Sequence, residues 1–203
     1  MIFMENNKKL KESLGKDIKY TSANYANMHD RLQIRDNISK FLIVYYSVIG
    51  IINSILPKYW VSFVDRTNIF DFSAVIIAII LLVASLSVSL ANYSERTIKA
   101  VAALDKLKRM KKEIVIYSED DLIENDYKLF KELTQKYHDI VDNMELRSDF
   151  DYYKTCKNLN TDRERFTIGQ CIKVCALHMI EIFIYFVLTL LPMAFYIYMF
   201  NLV

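Results

Sequence analysis

Two groups of residues stand where chemistry could occur. In "CIKVCALHMIEIF", Cys171, Cys175, His178 and Glu181 follow helical spacing and lie roughly on one side of a helix. Thiol, imidazole and carboxylate bind metals and carry protons, so a metal or proton site is one reading. The plainer one is a polar edge in which His178 and Glu181 form an i, i+3 pair. One helix cannot close a tetrahedral zinc site, and neither a metal nor a cofactor is expected. The second group is polar but not ionisable and sits in apolar runs. In "VASLSVSLANYSER", Ser85, Ser89 and Asn92 share a helical face at i, i+4, i+7, and Ser87 points elsewhere. A matching face, Ser47, Gly50 and Ser54 with Asn53 adjoining, lies in an earlier apolar run. Such faces either let helices approach and bond inside a membrane or line a path for water and ions.

Enzymatic chemistry finds no other foothold. The chain shows no glycine-rich phosphate loop, no His-x-x-x-His and no nucleophile elbow. His29 and His138 are each alone within helical patterns. No catalytic residue is expected, and the chain reads as a non-enzyme.

The elements that position these residues follow from composition. Of 203 residues, 53% are hydrophobic and 25% charged, yet there are only three glycines and two prolines. Turn-rich β folds need many of both, so long helices are expected. Three stretches lack charge for long enough to cross a bilayer, which takes about 20 apolar residues. They are Phe41 to Pro57, extending past Lys58 to Val64; Phe72 to Tyr93; and Ile182 to Val203. The alternate serines have the period of a strand, but an isolated strand in lipid leaves its backbone groups unpaired, so the serine stretch is helix. The start, "MIFMENNKKLKESLGK", is charged too early for a signal peptide. The expected fold is an all-α, oligomeric integral membrane protein with three transmembrane helices and a cytoplasmic helical hairpin. The expected divisions are N-terminal helices over 1–40, a two-helix membrane hairpin over 41–93, a cytoplasmic region over 94–170 and a third span over 171–203.

Basic residues set the orientation, since they favour the cytoplasmic flank. Eight precede the first span, from Lys8 to Lys40; seven follow the second, from Arg96 to Lys112; none follows Lys173. The N-terminus is expected inside and the C-terminus outside, with Tyr59, Trp60 and Phe63 at the outer interface. No span carries a charged residue at mid-membrane, so strong charge selectivity is not expected. The cluster "KLKRMKK" is most simply the inside-positive flank, with a lipid head-group or nucleotide contact as the sharper alternative. A net charge of +2 is too small to suggest nucleic acid. Cytoplasmic Cys156, Cys171 and Cys175 are not expected to form disulfides.

Beyond the second span the helix is expected to continue to Glu113, about 65 Å from Phe72 if unbroken. Its apolar stripe would be Ile98, Val101, Leu104, Leu107, Met110 and Ile114. Ser118 and the acids at 119 to 121 suit the start of a second helix. That helix has a stripe from Leu122 to Met144, and the pair would form a hairpin, each hiding the other's stripe. A short helix from Ser148 to Lys157 and a loop at "NLNTDRERF" follow. Before the first span, a helix with Tyr25, Met28, Leu32 and Ile38 on one side is expected to run unbroken into the membrane and dock on the hairpin.

Three segments, in this order, resemble the SLATT family of bacterial two-transmembrane effector domains, over roughly Ile18 to Asp151. They are "NMHDRLQIRDNISKF" running into the span with Ser47; "SLANYSERTIKAVAALDKL", where Tyr93 and Arg96 follow the membrane exit; and "ELTQKYHDIVDNMELRSDFDYYK". In the last, Tyr137, Asn143, Asp149 or Asp151, and Tyr152 fall on the family's tyrosine, Asn-His and Asp-Tyr pattern. Met144 stands where the family has histidine, which argues against a histidine-dependent role there. The third span would be an addition typical of some subgroups. The resemblance implies a membrane effector of antiphage and conflict systems in the bacterial inner membrane, which forms pores or disrupts the bilayer when triggered. Three spans are too few to enclose a pore, so a homo-oligomer is required, with a separately encoded sensor or signalling partner. The tyrosine, asparagine and aspartate set would form a polar junction with the N-terminal helix, paired with Arg31 or Arg35. The alternative is a non-conducting membrane anchor whose cytoplasmic helices bind a partner protein.

Overall fold

A computed structural model describes residues 2–59, 67–117, 126–145, 148–159 and 168–201. These contain six helices and no strand: α1 (Ile2–Tyr59), α2 (Thr67–Ala91), α3 (Tyr93–Tyr117), α4 (Asp126–Asp142), α5 (Asp149–Leu159) and α6 (Ile168–Asn201). The expected Ser118 cap with its acids, Leu122 and Ile123, Trp60 and Phe63 of the aromatic belt, and most of the "NLNTDRERF" loop lie outside the described residues. The fold is all-α, and three helices are long and apolar enough to cross a membrane. Their most apolar windows are hardly covered by the rest of the chain: 17% buried in α1, none in α2 and 6% in α6. Apolar surface left open on that scale requires lipid or another chain around it.

α1 is continuous through the first apolar run, as the sequence predicts, and begins far upstream of it. The chain folds as two compact units, and α1 contributes to both. The first unit holds residues 1–32 and 94–171; the second, the span unit, holds 33–93 and 172–203.

Within the first unit, α1 buries Leu14, Ile18, Tyr25, Met28 and Leu32, a helical face repeating every three or four residues. α3 buries Ala100, Ala103, Leu107 and Met110, α4 contributes Leu133, and α5 contributes Cys156. The predicted stripe on α3 holds at Leu107 and Met110, with Leu104 and Ile114 half-buried, and fails at its first two members. Ile98 is 66% exposed and Val101 is also exposed, while two alanines face inward. Small side chains let helix backbones approach closely, so the face that packs is not the bulkiest one. A second expectation fails at the exit of the second apolar run. α2 ends at Ala91, and Asn92 has φ of 47° before α3 starts at Tyr93. Asparagine is one of the few L-residues that enters the left-handed region readily, so the long helix from Phe72 is broken there. With the register interrupted, Asn92 no longer continues the face of Ser85 and Ser89.

In the span unit, α1 meets α2 at a position without a side chain. A Cβ on Gly50 would lie 3.7 Å from Cγ2 of Ile77, ordinary contact distance. Phe70 is fully buried against Leu56, Phe195 and Tyr196, with its ring edge-on to Phe195. α1, α2 and α6 therefore pack together at this level.

Candidate functional site: polar junctions along α1

Four polar residues of α1, Thr21, Asn24, Asn27 and Arg31, are spaced so that they share one helical face. In the first unit this face meets α4 and α5. The Thr21 and Tyr137 hydroxyls share a hydrogen bond of 2.8 Å. Asn27 Nδ2 donates to Thr155 Oγ1 at 2.8 Å, and that hydroxyl donates to the Asp151 carbonyl at 2.9 Å. Arg31 closes the ladder. Its Nε donates to Asp151 Oδ1 and Oδ2 at 3.0 and 3.2 Å, and its Nη2 to Oδ2 at 2.8 Å. Asp151 is fully buried, and the Arg31 side chain is 13% exposed.

α5 is built to present that carboxylate. Ser148 precedes its first turn and accepts the Asp151 N–H at 3.2 Å, an N-cap bond. The same hydroxyl donates to Asp151 Oδ2 at 2.8 Å. Asp151 also lies at the positive end of the helix, which favours its charge. A buried ion pair offsets its desolvation only with good geometry and further hydrogen bonds, and this one has both. Asn24 Oδ1 and Thr134 Oγ1 are buried in the same unit with no hydrogen-bond partner among the described residues.

The other predicted junction residues do not converge on this pair. In the span unit Arg35 binds Glu181 instead, with Nε to Oε1 at 2.6 Å and Nη2 to Oε2 at 2.7 Å. Glu181 thus has its partner, and it is on α1 rather than on its own helix. His178 is half-buried, Cys171 half-buried and Cys175 exposed. No group of three potential metal ligands gathers among the described residues. Arg96 makes a two-pronged bond to Glu145, both at 2.7 Å, on the surface of the first unit. Asn143 is exposed and donates to the Asp139 carbonyl at 2.6 Å; Asp149 is exposed; Tyr152 is half-buried, its N–H bonded to the Ser148 carbonyl at 3.2 Å. Tyr93 borders a crevice of about 280 Å³ in the span unit, whose walls include Ser39, Leu42, Tyr46, Ala84 and Leu188.

The membrane-run candidates also divide. Asn53 is fully buried and joins three helices: its Nδ2 donates to Ser73 Oγ of α2 at 3.0 Å, and the Tyr196 hydroxyl of α6 donates to its Oδ1. Ser47 and Ser54 bond back to the carbonyls of Ile43 and Gly50 at 2.7 and 3.0 Å. Ser85, Ser87 and Ser89 are exposed, and Ser87 borders the crevice that Ser39, Leu42 and Tyr46 of α1 also line. Asn92 is exposed as well.

Asn27, Thr155, Ser148 and Thr21 are missed by sequence reasoning. A signal existed: Asn27 precedes Arg31 by four, and Thr155 follows Asp151 by four, so each polar pair shares a face. The phenols of Tyr45, Tyr46 and Tyr196 are missed too, because tyrosine in an apolar run reads as bulk.

An all-α chain with three helices long and apolar enough to cross a membrane has the architecture of a membrane protein. The chain matches the SMODS and SLOG-associating 2TM effector domain family 5 over residues 7–198, and it belongs to that family. The match runs well beyond Ile18 to Asp151 and takes in most of α6, so the region matched to family 5 includes the third apolar helix. No curated protein and no solved structure matches the chain.

Proposed function

We propose that this membrane effector assembles into a homo-oligomer and permeabilises the bacterial inner membrane when a separately encoded partner or signal triggers it. The observation that carries the reading is on α2. Its most apolar window has no buried residue, yet the helix bears the exposed hydroxyls of Ser85, Ser87 and Ser89. Ser87 satisfies itself on the Val83 carbonyl at 2.8 Å. Hydroxyls on a lipid-exposed helix seek other helices or water, and an assembly of copies supplies both. Three spans cannot enclose a water path alone, so the path forms between copies. The N-terminus and the first unit lie on the cytoplasmic side, where the basic residues concentrate, and there they receive the trigger.

Reconstitution tests this reading. The purified chain, packed into vesicles of bacterial lipid at densities where mass action assembles copies without the trigger, is expected to release a self-quenching dye and to migrate in detergent as a discrete multimer. Sealed vesicles at every protein density, with a monomer in detergent, would favour the non-conducting anchor.

A further inference from the structure

The three-helix span unit contains a break in its backbone hydrogen bonding, and the neighbouring helix supplies what is missing. Pro192 lies inside α6 and is buried. Proline has no N–H, so the carbonyl four residues earlier, that of Leu188, has no donor from position 192. Water cannot fill the vacancy in hydrocarbon, and an unpaired carbonyl there is costly. The Tyr46 hydroxyl of α1 donates to this same Leu188 carbonyl at 2.7 Å. The Tyr45 hydroxyl donates to the next carbonyl, Thr189, at 3.1 Å. Two successive residues of one helix thus reach two successive carbonyls of another, at the turn the proline disturbs. The rings of Tyr45 and Tyr46 meet edge to face at 5.7 Å and 84°, and Tyr46 is buried. Thr189 does not compete, because its own hydroxyl bonds the Tyr185 carbonyl at 2.9 Å.

We propose that Tyr46, assisted by Tyr45, is a hydroxyl latch for the proline break of α6. The phenol replaces the missing backbone donor, fixes α6 against α1 at that turn, and holds the two helices together as one body. α6 can leave α1 only if another donor reaches the Leu188 carbonyl, so separation of these spans requires water or a hydroxyl from a second chain to enter. The latch therefore sets a threshold on rearrangement of the span unit, whether or not the protein conducts.

Chemistry gives the test a sharp form. Pro192→Ala restores a backbone N–H to Leu188, so the Tyr46 hydroxyl should then become dispensable. Four full-length proteins are compared in one detergent: wild type, Tyr46→Phe, Pro192→Ala and the double variant. Tyr46→Phe keeps the ring and removes only the hydroxyl. It is expected to lower Tm by roughly 2–4 °C when Pro192 is present, and to leave Tm unchanged on the Pro192→Ala background. Amide exchange over residues 189–196 is expected to rise several-fold in Tyr46→Phe alone. Equal drops in both backgrounds would overturn the proposal, because the hydroxyl would then act through something other than the proline-freed carbonyl. No drop in either background would overturn it as well.

Discussion

At the scale of single residues, the three arginine–carboxylate pairs found among the described residues differ in burial, and burial ranks them. Asp151 is fully buried under Arg31 and accepts a hydrogen bond from the Ser148 hydroxyl as well. Removing one partner strands a buried charge, which costs about 3–5 kcal/mol. Arg31→Ala and Asp151→Asn are therefore expected to destabilise the first unit strongly in thermal unfolding. The paired replacement Arg31→Met with Asp151→Leu should recover much of the loss. Arg96 and Glu145 are each about one-third exposed, so Arg96→Ala should cost no more than about 1 kcal/mol. Arg35 and Glu181 are intermediate in exposure and bonded through both prongs. Arg35→Ala should fall between the two in stability and impair assembly or triggering. Unchanged oligomer size and unchanged toxicity in that variant would remove Arg35 from any switching role. An order of losses that does not follow burial would contradict the ranking.

At the scale of elements, α3 carries the most discriminating prediction. Its inward face holds Ala100 and Ala103, and its bulky Ile98 faces out. Ala103→Leu should overpack the core of the first unit and cost about 1–3 kcal/mol, whereas Ile98→Ala should be nearly silent in the same denaturation experiment. The reverse result would restore the stripe read from the sequence. Hydropathy and the scarcity of glycine and proline made the helices and the three apolar runs legible, and the unbroken path of α1 into the first run as well. Two features were not legible, for physical reasons. Periodicity weighs bulk, so it passes over alanines that permit close approach. The break at Asn92 depends on one residue adopting φ of 47°, and an asparagine inside a helical pattern does not announce that. Among the site residues, Arg31 and an aspartate of the "SDFDYY" segment were both visible as a pair in prospect. The Arg35–Glu181 pair was hidden because its members lie far apart in sequence, and a charge carries no sign of which opposite charge it meets.

At the scale of the whole molecule, the apolar windows of the three spans stand open, and α2 adds exposed serines to a surface meant for lipid. That combination, in a chain of the 2TM effector domain family, is what the proposed assembly, with a water path along α2, is built on. Ser89→Leu changes an exposed position, so it leaves the fold intact while removing a hydroxyl from the proposed path. The most direct measurement follows membrane potential with a dye in bacterial cells that over-produce the wild type or Ser89→Leu at matched membrane levels, high enough for mass action to assemble copies without the trigger. The predicted result is depolarisation by the wild type and retained potential with Ser89→Leu. Equal depolarisation by both proteins, or retained potential with both, would contradict a path lined by this face of α2.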